Sequence, residues 1–247
     1  MSYQKTFLVL IAMLLTQTAV ATENVDNILH QIEVKSSPPS ERVDLKMTIQ
    51  ESDGAKKQRE LSITRKNDGD ARALIRLQKP SDLKGLALLT VAKGNKEEQY
   101  LYLPSDKKSR RILGSSKKGK FLDSEIAYED LAISTYRDFD NKVIKQDNKL
   151  IEIESRARKH SDSSYGRILT WVTPDYKIDH VDYFDKSNKL LKHAQFKDYQ
   201  QVGAKFWRAR TVSVQNVQTK RKTQLLVTNV SLKKIDDDEV SLSALED

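Results

Sequence analysis

The sequence contains no cysteine. That removes disulfide cross-links, Cys-ligated zinc or iron–sulfur centres, thiol nucleophiles and a lipidated N-terminal cysteine. Glycine and proline are scarce, at 8 and 5 of 247 residues, so neither a collagen-like repeat nor a Gly/Pro-rich disordered chain fits. No apolar run approaches the roughly 20 residues that a membrane-spanning helix needs. Catalytic signatures are missing as well. His30, His160, His180 and His193 show no HExxH or similar spacing, and there is no G-x-S-x-G element, so no metal site, cofactor or catalytic residue is expected. His180 and Asp182 share a strand face, which reads as a surface pair. The stretch 114–121, GSSKKGKF, begins like a phosphate-binding loop, but Phe121 stands where a magnesium-binding hydroxyl is required.

What the chain does have is charge, 32% of all residues, with 43 Lys and Arg against 35 Asp and Glu for a net +8. The basic residues are interleaved with acids, and no recognition-helix or aromatic-platform motif accompanies them, so no nucleic-acid partner is expected. The densest cations fall at 107–111, 117–120 and 220–222, which suits a solvated face or attraction to anionic headgroups or an acidic partner. The N-terminus reads as a cleavable signal peptide, residues 1–21. Lys5 opens it, residues 7–15 are apolar, and Ala19-Val20-Ala21 gives the small-x-small cleavage pattern. A single exported domain, residues 22–247, would follow, in the periplasm of a two-membrane bacterium.

Beyond a short helical candidate at 24–34, with Val25, Ile28, Leu29 and Ile32 on one stripe, the period changes from 3.6 to two. Val43, Leu45, Met47 and Ile49 alternate with Asp44, Lys46 and Thr48. Further alternating stretches lie around Leu61 and Ile63 and at 71–77, 87–92, 99–103, 149–155, 168–172, 178–184, 191–196, 209–217 and 223–232. Asn, Asp and Gly turn clusters separate them. Ten or eleven strands in hairpin succession make one large antiparallel sheet with a dry and a wet face. Such a sheet must curl to cover its dry face. The expected fold is mainly β, a curved antiparallel sheet forming a half-open barrel, with short helices at 24–34 and around 124–134 over the opening. A β-sandwich is the competing architecture.

Two stretches in the middle of the chain are distinctive. Residues 102–115 read YLPSDKKSRRILGS, and residues 121–131 read FLDSEIAYEDL, ending in Tyr128, Glu129, Asp130 and Leu131. Together they resemble the hallmark of the outer-membrane lipoprotein-sorting protein family, the LolA-like carriers, with weaker similarity from 79–85 to 240–242. Asp123 departs from that pattern, where the family often has Gly, and so does Arg208-Ala209, where a Pro is common. The resemblance implies a half-open β-barrel with an apolar cavity under helices. It implies carriage of a lipid or lipoprotein acyl chain through the periplasm, and work beside an inner-membrane exporter of the resistance-nodulation-division (RND) type or an outer-membrane acceptor.

Alternation assigns Leu45, Met47, Ile49, Ile75 and Leu77 to the dry face as lining for an acyl chain, with Lys46, Thr48 and Arg76 pointing to water. Lys107, Lys108, Arg110 and Arg111 are the candidate docking cations, and Gly114 and Gly119 bracket a candidate lid loop. Two other functions fit the same pattern. A periplasmic adaptor would fill its sheet with its own side chains and bind only protein. A hydrolase would use Glu125, Glu129 and Asp130, although these acids equally suit the start of a helix.

Overall fold

The computed structural model describes residues 23–94, 96–133 and 136–247. Residues 1–21, read above as a signal peptide, lie outside them. Alternation produces strands β1 (Ser40–Gln50), β2 (Lys56–Lys66), β3 (Ala71–Lys79), β4 (Ala87–Lys93), β5 (Lys96–Leu103) and β6 (Lys108–Ile112). A second run follows as β7 (Phe139–Gln146), β8 (Ile151–Ala157), β9 (Tyr165–Val172), β10 (Ile178–Asp185), β11 (Leu190–Val202), β12 (Phe206–Asn216) and β13 (Lys222–Ser231). All thirteen form one sheet, ordered β6-β5-β4-β3-β2-β1-β13-β12-β11-β10-β9-β8-β7, and every pairing is antiparallel. The chain therefore meanders to one edge and crosses to the other through residues 113–138. It then meanders back until β13 closes on β1.

Register breaks at Asp44/Leu45, Glu60/Leu61, Val143/Lys145 and Tyr183/Phe184 add local twist and bend the strands. β6 and β7 are not paired with each other, so the curled sheet stays open, as expected for a half-open barrel. These edge strands are the two that the sequence pattern did not reveal. Each is short of apolar residues (KSRRI and FDNKVIKQ), which is how natural sheets keep their edges from pairing with other chains.

Helix α1 (Val25–Ser36) matches its expected place. The Asn24 side chain accepts a hydrogen bond from the Asp26 amide at 2.8 Å, while Asp26 in the first turn and Lys35 in the last suit the helix dipole. Ile28 and Ile32, one turn apart, pack on Ile151, Ile153 and Val172 inside the curve of β8 and β9. The second expected helix is replaced by two 3-10 turns, Phe121–Asp123 and Tyr128–Leu131. Ser124, Ala127 and Ala132 are extended, with ψ of 177°, 161° and 144°, so no continuous helix can run through this stretch.

The main core lies on the concave face. On the convex face the expected wet surface is partly covered instead. Ile235, Val240 and Leu245 of the C-terminal tail, all fully buried, pack on Leu74, Ala87 and Leu89, with Leu245 on the short helix α2 (Leu242–Glu246). Arg76 accordingly does not simply face water. It lies under this tail and donates to the Ala244 carbonyl. Among the described residues no helix is long and apolar enough to cross a membrane.

Candidate functional site

The connection 113–138 runs from one sheet edge to the other, and it does so across the open side. Phe121 and Ile126, 2% and 6% exposed, enter the concave cluster formed by Leu45, Met47, Ile49, Leu61, Ile75, Leu77 and Leu88. A tight loop presents them: the Phe121 amide donates to the Ile126 carbonyl at 2.8 Å and the Tyr128 amide to the Gly119 carbonyl at 3.0 Å. Gly119 suits the tight approach there, where a Cβ would sit 3.1 Å from the Ser116 carbonyl oxygen and 3.4 Å from the Tyr128 ring. Asp123 adopts the left-handed conformation that glycine takes freely. Its carboxylate reaches Lys57 at 3.1 Å and Arg221 at 3.2 Å.

Polar groups from the sheet hold this cap. Glu125, 4% exposed, accepts from Lys120 at 2.7 Å, Asn216 at 2.9 Å and Arg221 at 3.1 Å. Glu129 accepts from the Ser163 hydroxyl at 2.7 Å and from the amide and hydroxyl of Ser164. Asp130 accepts from the Tyr165 hydroxyl at 2.8 Å, from its own turn's Ala127 amide at 2.7 Å, and from Lys192. Lys192 is buried over the rings of Tyr165 and Tyr183, at 5.0 and 4.7 Å. Burial, together with the nearby Asp130 and Glu129 carboxylates, pushes both phenols well above their ordinary pKa, so they stay neutral donors. The three carboxylates weighed as an acid–base set are thus all engaged in fastening the cap. Leu131, the last residue of the motif, packs against the main cluster, as does Tyr128.

Beyond the cap the concave face is not filled. A cavity of about 650 Å³ lies between α1, the end of the cap and strands β7, β10 and β11. Its apolar walls are Leu29 and Ile32 from α1, Ile133 and Tyr136 from the cap, and Phe139, Ile178, Val181, Tyr183 and Phe196 from the sheet. Asp26, Glu33, Asp130, Arg137 and Arg158 supply the charged part of its lining, and His30 lines it as well. A cleft of this size, lined in equal number by apolar and by polar or charged residues, has room for a small amphiphilic ligand. Next to it a smaller polar pocket of about 260 Å³ is bounded by Glu129, Asp130, Tyr165 and Lys117.

The structure brings the five residues assigned to an acyl-chain lining into one cluster, at exposures from 0 to 7%. They lie in β1 and β3, packed beneath Phe121 and Ile126, and the 650 Å³ cavity is lined by other residues. The docking cations separate. Lys107 occupies the turn before β6, with φ 48°, and alternation sends Lys108 and Arg110 to one face of that strand and Arg111 to the other, where it pairs with Glu98 at 2.6 Å. Gly114 opens a 3-10 turn rather than an extended lid. His180 and Asp182 share the convex face, but His180 contacts Asp179 at 2.7 Å and His193 contacts Asp182 at 2.5 Å. The cavity walls in β10 and β11 showed the same alternation as the rest of the sheet. No local signal distinguished a half that is packed from a half that is hollow.

A family model described as that of an uncharacterized protein matches residues 69–247. No curated protein matches the sequence. Among solved structures, a domain from Vibrio parahaemolyticus named for outer membrane lipoprotein sorting is 22% identical, covers 90% of this chain and 97% of its own, and superposes with a TM-score of 0.82. A DUF1329 family protein from Desulfovibrio piger is also 22% identical, with coverages of 89% and 96% and a TM-score of 0.81. A LolA superfamily protein from Nitrosomonas europaea is 15% identical, with coverages of 90% and 100% and a TM-score of 0.72. These likenesses establish the fold as the half-open barrel of the LolA type.

Proposed function

We propose a carrier function for this chain, which belongs to the family matched over residues 69–247 and has the LolA-type fold: it holds the acyl chain of a lipid or lipoprotein and moves it across the periplasm. The observation that carries this reading is the 650 Å³ cavity with its apolar walls. Each methylene of an acyl chain costs about 0.8 kcal/mol to keep in water, so transit between membranes demands a dry container. α1 and the end of the cap border the cavity on different sides. The residue pattern at 1–21 supports export to the periplasm. An RND-type exporter is the proposed donor and an outer-membrane protein the proposed acceptor, with Lys107, Lys108 and Arg110 offering exposed charge for the encounter.

The test is mass spectrometry of an organic extract of the protein purified from its own envelope, followed by displacement of a fluorescent fatty acid from the delipidated protein. Co-purifying acylated species and saturable displacement support the carrier. Protein that carries no lipid and binds no fatty acid leaves the adaptor reading, which the solidly packed β1–β6 half favours.

A further inference from the structure

Residues 107–120 hold seven cations and no acid. Elsewhere the sheet answers its cations: Lys57, Lys66, Lys142, Arg156 and Arg221 each meet a carboxylate. In this stretch two do, Arg111 with Glu98 at 2.6 Å and Lys120 with Glu125 at 2.7 Å. The side chains of Lys107, Lys108, Arg110, Lys117 and Lys118 have no hydrogen bond or ion pair among the described residues. Four of these are exposed, and Lys117 is half-buried beside the polar pocket. Unanswered charge of one sign raises the local potential and attracts an anionic surface.

The fold sets these cations around one protruding apolar residue. β6 is one of the two unpaired sheet edges that flank the opening, and Ile112 at its end is buried in the concave cluster. The chain leaves the strand extended at Leu113 and turns at Gly114, whose φ is 48°. The Ser116 amide donates to the Leu113 carbonyl at 3.0 Å and fixes the turn. Leu113 is thereby held outward at 58% exposure, the most exposed large apolar side chain among the described residues. Arg110 lies three positions before it and Lys117 four after. A lone leucine among cations gains nothing from water or from an acidic, hydrophilic protein surface. It gains from hydrocarbon lying just beneath a layer of anionic headgroups. Lipids in a fluid layer can also move to meet cations spread over a strand and the turns on either side of it.

We infer that this edge of the opening docks on the surface of an anionic bilayer, with the five unanswered cations among the headgroups and Leu113 in the interface beneath them. The inference rests on the carrier reading and names a surface that the carrier meets, the membrane itself. One apolar side chain with a basic patch gives reversible attachment, as a shuttle needs, and it sets the opening beside the bilayer.

The experiment is co-sedimentation of the delipidated full chain with vesicles of phosphatidylethanolamine and phosphatidylglycerol, and with vesicles of phosphatidylcholine alone. At low salt the wild type should bind the anionic vesicles about tenfold more tightly than the neutral ones, and about 0.5 M salt should remove the difference. Lys107→Glu, Lys108→Glu, Arg110→Glu and Lys118→Glu combined should abolish binding to the anionic vesicles, with melting temperature and fatty-acid displacement unchanged. Lys108→Gln with Arg110→Gln gives the same direction of change if the fourfold variant does not fold. Leu113→Ser should weaken binding about tenfold. Leu113→Trp should shift its emission to the blue on adding anionic vesicles, against the background of the wild type with Trp171 and Trp207 alone. Equal affinity of the wild type for the two vesicle types overturns the docking face, and so does a Leu113→Trp emission that anionic vesicles leave unchanged. Charge reversal that slows delivery between membranes, when the wild type binds neither vesicle, would overturn it in favour of an acidic protein partner. Each of these outcomes leaves the carrier intact, whose failure is read separately, as absence of fatty-acid displacement by the wild type.

Discussion

The two halves of the sheet are built from the same alternating pattern and end up with different interiors. Around β3 and β4 both faces are covered, while the convex side of β1 and β2 keeps Lys46 and Gln58 exposed beside a pocket of about 440 Å³. Phe121 and Ile126 of the cap fill the concave side, and Ile235, Val240 and Leu245 of the tail lie on the convex side, so β4 is buried on both faces at Ala87, Leu88, Leu89 and Thr90. In β7–β12 the concave side is shared: Tyr165, Ile168, Ala194 and Val214 join the cluster under the cap, and α1 covers Ile151, Ile153 and Val172. A 12-residue helix is about 18 Å long and 10 Å wide, whereas six strands spread about 24 Å. One helix cannot close that area, and the cavity is what remains. The convex side of this half carries polar and titratable groups, among them His180, His193 and Asp182. Within one continuous sheet, the stretch under the cap is filled and the stretch beside α1 keeps a cleft.

The sharpest way to break this comparison is to place a carboxylate in each half. Leu88, fully buried between Ile75 and Leu101, has no solvent within reach, so Leu88→Glu should cost several kcal/mol and abolish the cooperative thermal transition. Phe196→Glu, at the cavity wall, should fold with a slightly lowered Tm and lose fatty-acid binding. If both variants melt alike, the halves are equivalent and the hollow is not a site. The polar fastening of the cap comes next in size. Asp130→Asn or Lys192→Met leaves a buried group without its partner and should cost about 3–5 kcal/mol in chemical denaturation. The double variant should cost less than the sum, because the unpaired charge is gone. Strict additivity would show that the two residues act independently.

A smaller effect distinguishes the halves by pH. Arg221 and Lys57 hold Glu51 below its ordinary 4.5. Burial pushes Asp123 up, but Lys57 and Arg221 outweigh it and keep it below 3.8. A folded-state pKa that is depressed contributes stability above the unfolded value, and that contribution is lost as pH falls through the folded one. The join between cap and β2 and β13 should therefore loosen as pH drops below about 4.5, with fatty-acid binding surviving until global unfolding. Glu51→Gln with Asp123→Asn should show a flatter melting-temperature profile between pH 5 and pH 3. An unchanged profile would place the acid sensitivity elsewhere. The smallest expected effect concerns the edge of the packed half. Lys108→Glu with Arg110→Glu should slow delivery of bound lipid to anionic vesicles at low salt more than Arg111→Glu does, since Arg111 already answers Glu98. Stability should shift by less than about 1 kcal/mol in either case. Equal delivery rates would remove the docking role of that edge.

Much of the fold was legible because a strand's side-chain period is local. Eleven of the strands, α1 with its Asn24 cap, and the shared burial of Leu45, Met47, Ile49, Ile75 and Leu77 all follow from residues a few positions apart. β6 and β7 escaped because edge strands suppress the pattern that marks central ones. The stretch around 124–134 looked helical, with Glu125, Glu129 and Asp130 suiting the start of a helix. The left-handed Leu122 and Asp123, held by Lys57 and Arg221, are contacts made across 66 and 98 positions of chain.

The sequence by itself determined the class of the molecule: no cross-links, a sheet with one apolar face, too little helix to cover it, and a cap motif in the middle of the chain. Alternation and turn chemistry act over a few residues and do not depend on the rest of the fold. Only the tertiary structure decided which half of the apolar face is core and which is cavity. That depends on where residues 113–138 and the C-terminal tail come to rest. Their landing places are set by pairs such as Lys192 with Asp130 and Arg221 with Glu125, and by the shape of the curled sheet. The cluster of Glu41 with Arg65 and Arg208 belongs to the same class. It joins residues from β1, β2 and β12 that become neighbours only once β13 has closed on β1.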